Sequence, residues 1–163
     1  MTTTLPAPVD PLKSDPPSDP VFAPAPDVSP MVPLAAGAAR SNARILLAAD
    51  SPAARRFAAK LLRDRGYPVA VAVDGFEALG MLDKVKPDLL LLESRLARLD
   101  GFQTCALAKR HPGFGALSVV ILSEHGGLYA RVRARLAGAR SCLSKPFTAE
   151  ELLQAIAGAL ADG

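Results

Sequence analysis

The sequence is poor in cysteine, and this scarcity argues against a cysteine-based metal site. Its two cysteines, Cys105 and Cys142, do not form a metal-binding pattern, and we expect both to be free thiols in the cytoplasm. Long apolar runs are also missing. Residues 31–39 are apolar, but the segment is short, contains Pro33 and lacks the basic flank of a signal peptide. We therefore predict no targeting segment and no membrane span.

Two kinds of binding motif are missing as well. No glycine-rich loop of the G-x-G-x-x-G or P-loop type follows the first predicted strand, which argues against a nucleotide- or metabolite-binding domain but leaves that class as an alternative. No known DNA-binding motif is present. Residues 43–163 carry 17 basic and 12 acidic side chains, a net charge of +5 that is modest for a nucleic-acid binder. We expect no nucleic-acid partner.

Proline divides the chain into two parts. Residues 1–42 hold ten of the fifteen prolines, interleaved with Ala, Ser and Asp, and they lack periodic apolar positions. Such a segment cannot bury enough apolar surface to offset its chain entropy. We therefore predict a disordered tail over residues 1–42 and one folded domain over residues 43–163.

The folded part alternates apolar runs with amphipathic stretches. Strands are predicted at residues 45–49, 69–73, 89–92, 118–122 and 140–143. Helices are predicted at residues 52–65, from 75 to before Pro87, at 102–110 and 128–137, and after residue 148. Residues 89–92 show no alternation, which indicates burial on both faces. Strands and helices in this order predict a parallel sheet covered on both sides, a doubly wound α/β fold.

Four polar residues end these apolar runs or lie just past them: Asp50, Glu93, Ser123 and Lys145. In doubly wound sheets the functional crevice lies beyond the carboxyl ends of the strands. Element order alone therefore predicts that these four side chains meet at one edge.

The same signposts resemble the receiver domain of two-component response regulators. They are spread over about residues 43–161 and comprise Asp50-Ser51-Pro52, Asp74-Gly75, Pro87-Asp88, Asp100-Gly101-Phe102, Gly138-Ala139 and Lys145-Pro146-Phe147. The resemblance implies a flavodoxin-like, CheY-like sheet of order 2-1-3-4-5. It also implies that an acidic pair and a phosphorylated strand-tip aspartate hold Mg²⁺, that a Ser or Thr and the Lys contact the phosphoryl group, and that the Lys-Pro peptide is often cis.

The chain departs from the receiver pattern at five matched positions. The acidic pair is Ala49-Asp50, and the phosphoacceptor position is Glu93. Three departures remain. Arg95 stands where the family's residue contacts the metal through its backbone carbonyl, Ala97 replaces a common proline, and Cys142 replaces an aromatic switch residue. One lost carboxylate and one added guanidinium predict weak or absent Mg²⁺ binding, with Asp50 and Glu93 as the residual candidates. Hence we expect no cofactor.

Glutamate is one methylene longer than aspartate, roughly 1.5 Å. That length misplaces an acceptor for phosphoryl transfer but lets the carboxylate reach Lys145 and imitate part of the charge of an aspartyl phosphate. Three other interpretations stay open. Glu93 can be a carboxylate paired with Lys145 without signalling meaning, Asp50 an ionic partner of Arg95 or Lys145, and Ser123 a partner of backbone groups at a strand end.

The sequence therefore predicts a stand-alone pseudo-receiver of bacterial type: a non-enzymatic protein-interaction module for two-component or phosphorelay signalling, chemotaxis or motility included. No output domain follows residue 161, so we expect output through a protein partner or through the proline-rich tail. The resemblance places docking on the fourth helix, fifth strand and fifth helix. A basic group marks that surface: Arg131, Arg133, Arg135 and Arg140. A phosphorylatable single-domain response regulator is the alternative.

Overall fold

The computed structural model describes residues 42–162. The predicted tail, apart from Asn42, lies outside the described residues. Within them, the strands are β1 (Ile45–Ala48), β2 (Val69–Ala72), β3 (Leu89–Glu93), β4 (Ser118–Ser123) and β5 (Ser141–Ser144). The helices are α1 (Pro52–Asp64), α2 (Gly75–Val85), α3 (Gly101–Arg110), α4 (Leu128–Leu136) and α5 (Ala149–Ala161). The predicted elements are all present, with ends displaced by one residue at several places.

The sheet is parallel and has the order β2-β1-β3-β4-β5, which confirms the predicted doubly wound topology. Strand β1 lies between β2 and β3, so Ile45 is in register with Val69 of β2 and with Leu89 of β3. Every residue of β1, β3 and β4 is buried, in keeping with the unbroken apolar runs that predicted coverage of both faces.

Side chains at alternating strand positions pack into two separate cores, one on each face of the sheet. Ile45 and Leu47 pack on one face with side chains of α1 and α5, such as Leu62 and Ile156. Leu46 and Ala48 pack on the other face with side chains of α2, α3 and α4. Because both faces are sealed by helices, polar groups are left to gather at the strand ends.

Local hydrogen bonds fix where the helices begin. The Ser51 hydroxyl accepts from the Ala54 N–H at the start of α1, where Pro52 fits the first turn. Thr148 and Glu151 form a complete capping box at the start of α5. At α2 only half of the box forms: Asp74 accepts from the Glu77 N–H, but the Glu77 carboxylate reaches the Val73 N–H instead.

Candidate functional site

Glu93 is the last residue of β3, and its buried carboxylate links three strand ends. One oxygen, Oε1, accepts a hydrogen bond from the Lys145 ammonium at 2.6 Å. The other, Oε2, accepts from the Asp50 backbone N–H at 3.0 Å. A single side chain therefore connects the residue after β5 and the segment after β1 to the end of β3. The predicted salt-bridge contact between Glu93 and Lys145 is confirmed.

Lys145 reaches this position because the backbone after β5 is anchored to β4. Its N–H donates to the Ser123 carbonyl at 2.7 Å, which continues the ladder one step past the strand. The Lys145–Pro146 peptide is cis, as the receiver resemblance implied. The ammonium is half-buried, whereas the Glu93 carboxylate is almost fully enclosed. The pair is thus a partly desolvated, charge-assisted hydrogen bond.

Ser123 lies at the expected edge as the last residue of β4, but its hydroxyl is used locally. The Oγ atom donates to the His125 carbonyl at 2.9 Å and so closes the loop between β4 and α4. This contact matches the backbone-satisfying role that stayed open from the sequence.

Asp50 is exposed and contributes a backbone N–H, rather than its carboxylate, to Glu93. Among residues 42–162 its carboxylate forms no ion pair with Arg95 or Lys145. Arg55 supports this turn, because its guanidinium donates to the carbonyls of Ala49 and Asp50 at 2.7 and 3.2 Å. No sequence pattern indicated Arg55, because its contacts depend on the turn between β1 and α1.

Arg95 pairs with Glu124 and not with Asp50 among residues 42–162. Its guanidinium donates to Glu124 at 3.0 Å in an exposed ion pair. Glu124 therefore offsets much of the positive charge that was expected to repel a cation at this edge. The lost carboxylate and the Glu93–Lys145 pair remain as the features that disfavour a metal.

The donor set at this edge does not fit Mg²⁺ well. Ala49, where the resemblance implies an acid, is buried and packs in the core with Leu47. Both oxygens of Glu93 are already bound, one of them by a cation. No cluster of three or more His, Cys, Asp or Glu side chains suited to a metal occurs among residues 42–162. Magnesium prefers several oxygen ligands, one or two of them carboxylates.

A second ionic contact, between Arg98 and Asp74, was not predicted from the sequence. Arg98 donates to Asp74, with Nε at 3.0 Å from Oδ2, and its guanidinium stacks over Phe76 at 5.4 Å. Hydrogen bonds from the Glu77 N–H, which has the larger effect, and from Arg98 hold the pKa of Asp74 below its usual value. No local sequence pattern indicates that Asp74 has a partner 24 residues away.

The fold agrees with what comparison with known proteins shows. Residues 45–157 match the family model described as the response regulator receiver domain. The chain belongs to this family. Receiver domains are modules of two-component signalling, and membership places the chain in that kind of pathway.

Two relatives and one solved structure illustrate the likeness. Protein PilG of Pseudomonas aeruginosa is 39% identical over 113 residues, covering 69% of this chain and 84% of PilG. Response regulator MprA of Mycobacterium tuberculosis is 38% identical over 113 residues, covering 69% of this chain and 48% of MprA, so this chain spans about half of MprA's length. A structure described as a response regulator of Chloroflexus aurantiacus has a TM-score of 0.71 at 31% identity, covering 74% of this chain and 98% of that chain.

Cys142, which the resemblance matches to an aromatic switch position, lies in β5 in register with Ile121 and is half-buried. It packs against the core that α2, α3 and α4 cover. Burial raises the pKa of the Cys142 thiol, and burial raises that of Cys105 to about 11. Both cysteines are free.

The arginines predicted to form the receiver's partner face have different surroundings. Arg131 and Arg135 are exposed on α4. Arg133 instead packs between helices: its guanidinium lies 4.2 Å from the centre of the Phe102 ring and 3.6 Å from Asp100. Arg140 bonds Asp162 at 3.1 Å. None of the receiver's helices within residues 42–162 has the length and apolar character that a membrane crossing requires.

Proposed function

We propose that this chain is a pseudo-receiver: a protein-interaction module of two-component or phosphorelay signalling that is not controlled by phosphorylation of its strand-tip acid. The observation that carries this proposal is the pairing of Glu93 with Lys145 at 2.6 Å. In the receiver family that lysine contacts the phosphoryl group. Here a carboxylate of the chain itself already occupies the ammonium.

The geometry of Glu93 supports a receiver that stays in one conformation without phosphorylation. The acceptor side chain is longer than aspartate, and both oxygens are held, by Lys145 and by the Asp50 N–H. In-line phosphoryl transfer depends on positioning, so an acceptor displaced by an ångström and neutralised by a cation is a poor one. The carboxylate instead supplies one negative charge where an aspartyl phosphate would supply nearly two.

Weak magnesium binding belongs to the same proposal. Ala49 stands where the family has a carboxylate, and the acid at the end of β3, Glu93, is paired with the Lys145 ammonium. Because phosphoryl transfer requires a cation to neutralise developing charge, loss of the metal and loss of the acceptor act together. We therefore propose no enzymatic activity and no resident cofactor.

We further propose that residues 43–163 are the signalling unit, with residues 1–42 as a tether, and that output passes through a protein partner. The docking surface would be formed by α4, β5 and α5, where Arg131 and Arg135 are exposed. Two free thiols support a reducing, cytoplasmic compartment. Chemotaxis or motility is the pathway type that we favour for a small receiver.

The test is phosphorylation of the full chain by acetyl phosphate in the presence of Mg²⁺, followed by intact mass. We expect no added phosphate on the wild type and no change in amide hydrogen exchange across α4 and β5. The matched control is Ala49→Asp with Glu93→Asp and Arg95→Asn, which should accept phosphate. Phosphate that accumulates on the wild type and is lost in Glu93→Ala would instead show a phosphotransfer receiver.

A further inference from the structure

Two adjoining cavities lie at the amino edge of the parallel sheet, opposite the edge where the strands end. The first has a volume of about 450 Å³ and is lined by residues that precede β3 and β4, among them Pro87 and Leu117. The second, of about 510 Å³, is lined in part by residues that precede β5, such as Arg140. The two cavities share a wall, because Ala116, Leu117 and Ser118 line both. We call the two cavities together the amino-edge trench.

The loop from α3 to β4 shapes the amino-edge trench and is held in place by hydrogen bonds. The Lys109 ammonium donates to the carbonyls of Gly115 and Leu117 at 3.0 and 2.6 Å. The Phe114 N–H donates to the His111 carbonyl, and the Leu117 N–H donates to the Phe114 carbonyl, both at 3.0 Å. A site that is already formed loses less conformational entropy when a ligand binds. The trench therefore offers a ligand a largely preformed surface.

One end of the amino-edge trench has an apolar floor. Pro87, Leu117 and Leu160 line this end and are buried, and the half-buried Phe114 lines it as well. The Phe114 ring lies 5.0 Å from the His111 ring in a tilted contact. Aromatic rings pack favourably against one another in offset or tilted arrangements. The floor therefore favours a ligand with a flat apolar body.

The other end of the amino-edge trench is basic. Its charged residues are Lys109, Arg135, Arg140 and one acid, Asp162. Arg140 pairs with Asp162 at 3.1 Å, whereas Arg135 is exposed and binds no carboxylate among residues 42–162. The Lys109 ammonium has three donors, of which two are used on the loop carbonyls. This end therefore keeps an excess of positive charge and free donors for an anionic group.

We propose that the amino-edge trench reversibly binds a small aromatic carboxylate. The ring of the ligand would lie on Phe114 and Leu117, and its carboxylate would accept charge-assisted hydrogen bonds from Arg135 and from the remaining donor of Lys109. Cavities of about 300–1,000 Å³ that combine apolar walls with a few polar groups are typical of small-molecule sites.

This site would be additional to the edge that such folds commonly use. In doubly wound sheets ligands bind beyond the carboxyl ends of the strands, and here that edge is where Lys145 bonds the Glu93 carboxylate. The amino-edge trench lies at the other end of the strands. The proposal therefore goes beyond the interaction role proposed above and does not rest on the state of Glu93.

The test is a titration of the isotope-labelled full chain followed by amide NMR spectra. The probe is naphthoate, and its controls are naphthalenemethanol, which lacks the charge, naphthylmethylammonium, which reverses it, and acetate, which lacks the ring. We expect naphthoate to bind at least about tenfold more tightly than each control. The amide shifts should be centred on residues 109–118 and 135–140. Equal binding of any control, or shifts centred elsewhere, would overturn the proposal.

Two variants locate the binding. Ala116 is exposed and lines both cavities, so Ala116→Glu puts a carboxylate where the cavities meet and should weaken naphthoate binding by about tenfold or more. Its matched control is Ala53→Glu, at an exposed position of α1, which should bind as wild type does. Arg135→Gln removes the free guanidinium and should also weaken binding, whereas Arg56→Gln, at another exposed position of α1, should not.

The outcomes of the variant titrations are decisive in either direction. Unchanged naphthoate affinity in Ala116→Glu or in Arg135→Gln would overturn the proposal. The amide spectrum of each variant shows whether it remains folded, and if one of the two does not fold, the other still decides. Failure of the wild type to bind naphthoate would overturn the trench as a ligand site and would leave the phosphorylation result unaffected.

Discussion

Arg98 donates both Nε and Nη2 to one oxygen of Asp74, and this contact ties the loop after β3 to the start of α2. Asp74 is buried and caps α2 through the Glu77 N–H at 2.8 Å. Arg98 reaches it from a left-handed backbone conformation, with φ of 66°. The loop that follows Glu93 is therefore held by an ion pair in a conformation that a non-glycine residue rarely adopts.

The backbone of Arg98 predicts different stabilities for two truncations. Arg98→Ala removes the ion pair and keeps the strained φ, so it should lower the free energy of unfolding. Arg98→Gly also removes the ion pair but relieves the strain, because glycine enters the left-handed region freely. We expect the glycine variant to be more stable than the alanine variant by about 1 kcal/mol in urea unfolding. Equal stability would show that the φ of Arg98 costs nothing.

The pKa of Asp74 predicts a loss of stability in acid. Hydrogen bonds from the Glu77 N–H and from Arg98 lower that pKa from its usual 3.8. A depressed carboxyl pKa contributes stability that is fully present above the unfolded-state value and is lost as pH falls below it. Stability measured as the pH is lowered from about 5, just above that unfolded-state value, should therefore fall less steeply in Asp74→Asn than in wild type. Parallel curves would contradict this assignment.

Removal of Lys145 should be more damaging than removal of the whole ion pair. Lys145→Ala leaves the Glu93 carboxylate buried without its cation, and we expect a loss of roughly 2 kcal/mol, below the usual cost for a fully buried pair because Lys145 is partly exposed. Glu93→Gln with Lys145→Met leaves no charge and should recover most of that loss. Urea unfolding of Glu93→Gln, of Lys145→Met and of the double variant measures the coupling. Additive losses would mean that the contact contributes nothing.

The two thiols should differ in reactivity. Cys105 is fully buried, and its pKa of about 11 leaves almost no thiolate near pH 8. Cys142 is half-buried, so reagent can reach it more readily. In the folded protein, Cys105→Ser should retain a slow reaction with an aromatic disulfide reagent, and Cys142→Ser should lose nearly all of it. Both variants should react fully in denaturant, which controls for thiol content.

Sequence patterns predicted the features that repeat or stand at element ends. Apolar runs located the five strands, and the polar residues at their ends led to Glu93 and Lys145. The contact of Arg98 was not predicted, and Arg133 was assigned to the exposed basic face. Both errors arise because a contact between distant surface positions leaves no periodic pattern in the sequence. Arg131, Arg133 and Arg135 looked like one basic face, but successive steps of two residues turn them to different sides of a helix. Only Arg131 and Arg135 remain together, and Arg133 meets Asp100.

Restoring the family's residues at three positions should create a magnesium site. Ala49→Asp supplies the missing carboxylate, Glu93→Asp shortens the acid that now reaches Lys145, and Arg95→Asn removes a cation. We expect the triple variant to bind Mg²⁺ at least about tenfold more tightly than wild type in calorimetric titration. Adding Asp50→Ala to the triple variant should abolish the gain, because Asp50 would then be a direct ligand. If wild type binds Mg²⁺ as tightly as the triple variant, the buried Ala49 and the Glu93–Lys145 pair do not exclude the ion, and this receiver retains the metal that phosphoryl transfer requires.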